Sequence, residues 1–335
     1  MENQEVIRVS DLSVSFYTNN RRNNAVRDVN LSIKSGKTLC IVGESGCGKS
    51  VSASAIMQLL PELGRIEAGE VVYHAEQGDV HIEQMLPDSK EMRSLRGKDI
   101  AMIFQDPMTA LNPVYSVGFQ IMENLTTHMN MNRKQARTRA IELLQSMGIP
   151  SPEQRIDEFP HQFSGGMRQR AMIAMAMACN PKLLIADEPT TALDVTVQAQ
   201  IFELMAKLKS EYGTAIMLIT HDMGVVTELA DDVSVMYMGD IVESGTVDEV
   251  LRTPKHPYTQ ALLHSIPVLG RGKAQELEPI RGSTPDPYDR PKGCQFAPRC
   301  DFCTERCLTE MPAKSYETAG HMVRCFACKE GTANV

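Results

Sequence analysis

No stretch of the chain approaches roughly eighteen consecutive apolar residues, so no transmembrane helix is expected. The opening residues, Met1-Glu2-Asn3-Gln4-Glu5, are polar and acidic and lack the basic and apolar segments of a secretory signal. A basic surplus is also missing. Against 42 Asp and Glu stand 34 Lys and Arg, a formal net charge of −8. This disfavours nucleic acid as the main partner, because binding a phosphate backbone takes basic surface, but it leaves room for a small basic pocket that holds one nucleotide. There is no internal repeat at a solenoid period and no sustained heptad pattern. These absences point to a cytoplasmic protein that reaches a membrane only through partners.

The 335 residues, 42% hydrophobic and 23% charged, suit one large globular domain with a smaller one, or two domains, with a core that needs no covalent staples. Alternating apolar and polar residues from Ile7 to Phe16 and again from Val26 to Ile33 predict half-exposed strands. Thr38 to Val42, Ile100 to Phe104, Leu183 to Ala186 and Ala215 to Ile219 are short apolar runs that suit buried parallel strands. Helical patterns follow over Ser50 to Leu60, over most of Pro107 to Pro160 (clearest from Arg133 to Met147) and from Met167 to Ala178. Strands alternating with helices predict an α/β fold with a mostly parallel sheet. Met172, Met175 and Met177 read as core filler on the last of these helices. Near Arg252 to Pro257 the character changes: prolines and cysteines accumulate and hydrophobic periodicity fades. A boundary at about 255 therefore separates a nucleotide-handling domain, 1–255, from an extension, 256–335.

Gly43-Glu44-Ser45-Gly46-Cys47-Gly48-Lys49-Ser50 fits G-x-x-x-x-G-K-S/T in full, directly after a predicted strand and at the start of the predicted helix Ser50 to Leu60, whose second residue, Val51, is counted with the loop as nucleotide-binding. Glycines let the backbone curl so that its N–H groups converge on phosphate oxygens, and the helix adds its positive end. Lys49 supplies a cation for the β- and γ-phosphates, and the Ser50 hydroxyl is a ligand for Mg²⁺. Cys47 reads as a small filler; the sharper alternative is a thiol acidified by the helix N-terminus and Lys49. The run Leu183 to Ala186 ends in Asp187-Glu188. Ligands of open α/β sheets sit beyond the carboxyl ends of strands, which places Asp187 to hold Mg²⁺ and Glu188 to polarise an attacking water.

With Phe163-Ser164-Gly165-Gly166-Met167 ahead of that pair, the sequence resembles the ABC-type ATPases over roughly residues 5–250. The segment is similar to their L-S-G-G-Q signature, with Phe for Leu and Met for Gln. The resemblance implies a P-loop NTPase fold: a RecA-like parallel core, an N-terminal antiparallel β subdomain and a helical signature subdomain at about 107–165. It also implies ATP sandwiched in a dimer, with Ser164, Gly165 and Gly166 on the opposite subunit's γ-phosphate. By the same resemblance Gln105 senses Mg²⁺, Asp194 belongs to the D-loop, His221 contacts the γ-phosphate, and Phe16 stacks on adenine with Tyr17 as competitor.

His256 to Leu263, Gln105 to Pro113 and Gly293 to Cys307 are similar to oligopeptide and dipeptide importer ATPases. That resemblance implies two transmembrane permeases, a second related ATPase in a heterodimer, an extracytoplasmic solute-binding protein and a place on the cytoplasmic face of the inner membrane. Relatives also import nickel complexes, haem or oligosaccharides. Nine cysteines are unevenly spread, with Cys294, Cys300, Cys303, Cys307, Cys325 and Cys328 crowded into the tail. In a reducing compartment such crowding favours a metal site over disulfides. The family pattern maps a 4Fe–4S cluster onto Cys294, Cys300, Cys307 and Cys325. Cys303 and Cys328 complete two C-x-x-C pairs, which leaves a Zn²⁺ site open, as well as free or bonded thiols.

Overall fold

The structure, a computed structural model, describes residues 4–18, 21–106, 110–190, 195–265, 280–318 and 320–327. Its strands are β1 Glu5–Thr18, β2 Arg21–Lys34, β3 Thr38–Val42, β4 Gly64–Ala75, β5 Gly78–His81, β6 Ile100–Ile103, β7 Leu183–Asp187, β8 Ala215–Ile219, β9 Asp232–Tyr237, β10 Asp240–Thr246, β11 Ser315–Tyr316 and β12 Met322–Val323. A four-stranded sheet has the order β2-β1-β4-β5, with β4 and β5 antiparallel. The chain divides into two compact units.

One unit comprises Met1–Ile7, Ser32–Thr38 and Val72–Ile219. Its centre is the parallel trio β6, β7 and β8, in register Ile103 with Ala186 and Asp187 with Ile219. All five residues of β7 and of β8 are buried, as the unbroken apolar runs require. Between β6 and β7 stand the helices Val117–His128, Arg133–Ser146 and Gly165–Met177. Ser116 caps the first through the Phe119 N–H, and Asn132 and Gln135 form a reciprocal capping box on the second. The second buries Ala136, Ala140, Leu143 and Leu144, a spacing of three to four that puts them on one helical face. Met172 and Met177 are buried along the third helix, in keeping with core packing, while Met175 is half-buried.

The other unit comprises Arg8–Leu31, Leu39–Val71 and Thr220–Val335. Here β3 pairs parallel with β9, and β9 returns antiparallel as β10 through Met238-Gly239. Further antiparallel pairs add β12 and then β11. The helix after β3 runs Lys49–Ile56, shorter than the pattern predicts; Gln58 adopts a left-handed φ of 51° that stops it.

Polar contacts, more than apolar periodicity, hold the chain beyond 255. The carboxylate of Glu243 on β10 is fully buried and accepts the N–H groups of Lys255 (2.7 Å) and His256 (3.0 Å). It also lies 2.8 Å from Nε2 of His321. The Nδ1 of His256 in turn caps the helix Pro257–His264 by accepting the Tyr258 N–H at 3.0 Å. A buried carboxylate is tolerated only with such partners, so these contacts are obligatory rather than decorative.

Candidate functional site

The loop 43–50 leaves the end of β3, whose five residues are all buried. A Cβ added to Gly43 would lie 2.1 Å from the Met236 carbonyl oxygen, and one on Gly48, at φ 107°, would lie 2.5 Å from the Ala25 carbonyl oxygen. Glycine is thus demanded at both positions by close backbone approach. The Gly239 N–H donates to the Cys47 carbonyl at 2.7 Å, so the β9–β10 turn fixes the middle of the loop. The Lys49 side chain is buried, and its Nζ donates to the carbonyls of Gly43 (2.8 Å) and Glu44 (2.9 Å). Ser45, Gly46 and Ser50 are exposed.

The Cys47 thiol is buried at 3% exposure. Burial pushes it above the ordinary thiol range, and Lys49, 3.7 Å away, only partly offsets this. Burial thus speaks for the filler and against an acidified thiol at Cys47, whose Sγ lies 2.9 Å from where a Cβ on Gly43 would stand.

Glu44 is held twice. Its N–H donates to the Tyr258 hydroxyl at 2.9 Å, and its carboxylate accepts both Nη1 (2.6 Å) and Nη2 (2.9 Å) of Arg299. The Arg299 guanidinium beside it keeps the Glu44 carboxyl below its ordinary value. In the same unit, the Thr220 N–H donates to the Ile41 carbonyl at 3.3 Å, which brings the start of the His221 segment beside the strand that feeds the loop. His221 is exposed, and Asp222 behind it caps the helix Met223–Leu229. Phe16 is half-buried, against the position of Gly64. Tyr17 is exposed, donates to Glu67 at 2.8 Å and has the Arg65 guanidinium 6.0 Å from its ring centre.

In the other unit the register of β6 and β7 sets Gln105 and Glu188 level, each two residues beyond a paired position. The Gln105 amide donates to the Glu188 carboxylate at 3.0 Å. Asp187 is buried at the end of β7. Glu188 has a left-handed φ of 45° while its N–H donates to the Ile219 carbonyl at 2.9 Å. A non-glycine residue held there costs roughly 1–3 kcal/mol, a strain that tends to persist at functional positions. Ser164 caps the helix Gly165–Met177 by accepting the Met167 N–H at 3.3 Å. Phe163 before it is buried, so Phe serves as apolar anchor where the signature usually has Leu. Gln169 on this helix donates to the Pro189 carbonyl, tying the helix to the segment just after Glu188. Asp194 lies outside the described residues.

Cys294, Cys300, Cys303, Cys307 and Cys325 line one cavity of about 800 Å³. Among the described residues, no group of three or more His, Cys, Asp or Glu side chains converges to hold a metal ion. The thiols ring a space instead of meeting at a point. Burial pushes Cys294 up to about 11 and Cys300 up to about 12, so both are protonated without a cation to offset them. Cys328, the partner of Cys325 in the second C-x-x-C pair, lies outside the described residues.

Comparison with known proteins places these features. The ABC transporter family matches residues 26–191, and the C-terminal region of oligopeptide/dipeptide transporters matches residues 242–307. The dipeptide transport ATP-binding protein DppD of Haemophilus influenzae is 50% identical over 320 residues, covering 96% of this chain and 94% of that protein. The oligopeptide transport ATP-binding protein OppD of Bacillus subtilis is 50% identical over 323 residues, 96% of this chain and 88% of that one. Among solved structures, the ATP-binding cassette MJ0796 in a dimeric post-hydrolysis state with ADP and Pi superposes with a TM-score of 0.64 at 27% identity, over 72% of this chain and 98% of that one. The chain belongs to the ABC transporter family, in the group of its peptide-transport ATP-binding proteins. Its fold is that of the ABC cassettes, and its activity is ATP hydrolysis. Tyr258 and Arg299 fall within the segments that resemble importer ATPases, but their hold on Glu44 is not legible in the sequence: one lies 214 residues from its partner and the other 255.

Proposed function

We propose that this chain hydrolyses ATP at the loop Gly43–Ser50 to drive import of dipeptides or oligopeptides by a membrane complex. The observation that carries the proposal is the presence of both family matches in one chain, the second described as the C-terminal region of oligopeptide/dipeptide transporters. Lys49 and the loop N–H groups take the phosphates, Glu188 polarises the attacking water, and His221 contacts the γ-phosphate. Ser50, Gln105 and Asp187 would hold Mg²⁺, which neutralises charge on the phosphates. Phe16 stacks on adenine, since Tyr17 is committed to Glu67 and Arg65. Ser164, Gly165, Gly166 and Asp194 serve the nucleotide of the second ATPase subunit.

The helical insertion offers the permeases an apolar patch. Tyr115 and Phe119 stack with centres 4.8 Å apart and are 47% and 45% exposed, beside Val114 at 69%. Exposed aromatics so grouped mark an interaction surface. No helix among the described residues is long and apolar enough to cross a membrane. The chain then sits on the cytoplasmic face of the inner membrane through its permeases, with a solute-binding protein on the far side.

For the cysteine-lined cavity we favour a 4Fe–4S cluster on Cys294, Cys300, Cys307 and Cys325 over a single Zn²⁺. The support is that all four of these thiols line one cavity, as four ligands to a shared cluster would have to. Its role is to hold the tail in shape. Iron and sulfide analysis with visible absorption of anaerobically purified protein distinguishes the two, and zinc at one equivalent without iron would overturn the choice.

The partner set is tested by isolating tagged Glu188→Gln protein with ATP from mildly solubilised membranes. Two permeases and a second ATPase are expected. A soluble homodimer with no membrane partner would overturn the proposal.

A further inference from the structure

Glu44 presents a chemical problem. A carboxylate on a phosphate-binding loop repels the polyanion the loop must receive, because unscreened like charges a few ångströms apart are unfavourable. Arg299 answers it. Its side chain is buried and fixed on every side. Nε donates to the Arg281 carbonyl at 2.8 Å, and Nη1 and Nη2 reach the two Glu44 oxygens at 2.6 and 2.9 Å. The guanidinium also stands 5.8 Å from the Tyr237 ring centre and 5.9 Å from that of Phe296. Thr284 adds a donor to the same carboxylate at 3.1 Å. The Tyr258 hydroxyl takes the Glu44 N–H at 2.9 Å, and Arg290 donates to the carbonyl of Met238, at the turn that fixes the loop's middle, and to that of Asn24 on β2. Tyr258, Thr284, Arg290 and Arg299 all come from the extension beyond residue 255, and Arg299 directly precedes Cys300 on the wall of the cysteine-lined cavity.

We propose that Arg299 is a positioning residue for nucleotide binding: by pairing with both oxygens of Glu44 it cancels the one negative side chain of the phosphate loop and pins the loop open, so that the C-terminal extension is a working part of the ATP site. The fork geometry matters because a guanidinium binds both carboxylate oxygens in one plane and so fixes the direction of the side chain as well as its charge. The inference rests on reading Gly43–Ser50 as the ATP phosphate loop. It adds to that reading that the cysteine-rich segment is coupled to the nucleotide site through Arg299, the residue next to Cys300. Coupling of this kind is reciprocal, so bound ATP must also steady the extension.

The test is equilibrium binding of Mg-ATP to the full-length chain, with thermal midpoints recorded for every variant. Arg299→Gln is expected to weaken binding about 10-fold, the scale of one lost interaction worth roughly 1.4 kcal/mol. Glu44→Gln alone, which removes the repulsion while leaving an oxygen for Arg299, is expected to bind within about 3-fold of the unaltered chain. The double variant is expected to recover most of the loss. A purely architectural Arg299 predicts no recovery, and that result, or unchanged binding in Arg299→Gln, would overturn the proposal. Should Arg299→Gln fail to fold, Glu44→Gln still decides: binding weakened about 10-fold there would show that the carboxylate itself is needed and not merely neutralised. Lys49→Ala serves as reference. If it too leaves ATP affinity unchanged, the phosphate-loop reading fails; if it abolishes binding while Arg299→Gln does nothing, only the role of Arg299 fails. Hydrogen exchange of residues 294–307 supplies a readout apart from binding. Mg-ATP is expected to slow it in the unaltered chain and not in Arg299→Gln.

Discussion

At Lys49 the ammonium is satisfied by two loop carbonyls, at 2.8 and 2.9 Å, within a buried setting. A cation held this way is pre-placed where phosphate will arrive, and its stem needs no reordering on binding. The backbone around it is equally determined. At Gly48 the left-handed φ and the Ala25 carbonyl leave no space for a methyl group. Gly48→Ala is therefore expected to distort the loop and lower ATP affinity by an order of magnitude or more, with about 1–3 kcal/mol lost from stability. Nucleotide titration together with urea unfolding checks both parts; unchanged affinity would show that the loop tolerates a Cβ there.

This scale was also the most legible in the sequence. Gly43–Ser50 and Asp187-Glu188 stand out because their chemistry needs fixed residue types at fixed spacing. Arg299 does not, since an ion pair across 255 residues leaves no local pattern.

Among the elements, β3, β7 and β8 could be read because strands buried on both faces are unbroken apolar runs. The strands β4, β5, β9 and β10 are antiparallel partners whose identity depends on the strand beside them, and they went unread. The helix Pro257–His264 depends on a single cap, His256. Burial, opposed only in part by Glu243, pulls the His256 imidazole down to about 4 from an ordinary 6.5. Between those values the unfolded chain takes up a proton that the folded chain refuses. Stability is thus full above about pH 6.5 and falls as pH drops towards 4, by roughly 3 kcal/mol in total. His321 works in the opposite sense: Glu243 raises its pKa, so its contribution is present at low pH and is lost as pH rises past that raised value. Urea midpoints between pH 4 and 7 are expected to show the acid limb. The variant His256→Asn, which keeps a capping acceptor and does not titrate, is expected to flatten it; an unaltered limb would place the titration elsewhere.

At the scale of the whole molecule, the division of labour by sequence at about 255 and the division by packing are different things. The extension shares its compact unit with the phosphate loop, and it does so through polar contacts that hydrophobic periodicity cannot reveal. On the other unit, the exposed Tyr115–Phe119 stack should matter only in the assembled transporter. Tyr115→Ala with Phe119→Ala is expected to leave ATP binding by the isolated chain within about 2-fold and to abolish co-purification with permeases, the outcome for a contact centred on aromatic anchors.

Uptake of labelled dipeptides and tripeptides by cells lacking this chain tests the central claim most directly, with the unaltered gene, Glu188→Gln or no gene supplied in trans. The account predicts uptake restored by the unaltered chain, and reduced about 100-fold or more with Glu188→Gln, the scale of a lost general base, although that variant still binds ATP. Full uptake with Glu188→Gln, or none with the unaltered chain in the presence of its permeases, would contradict it.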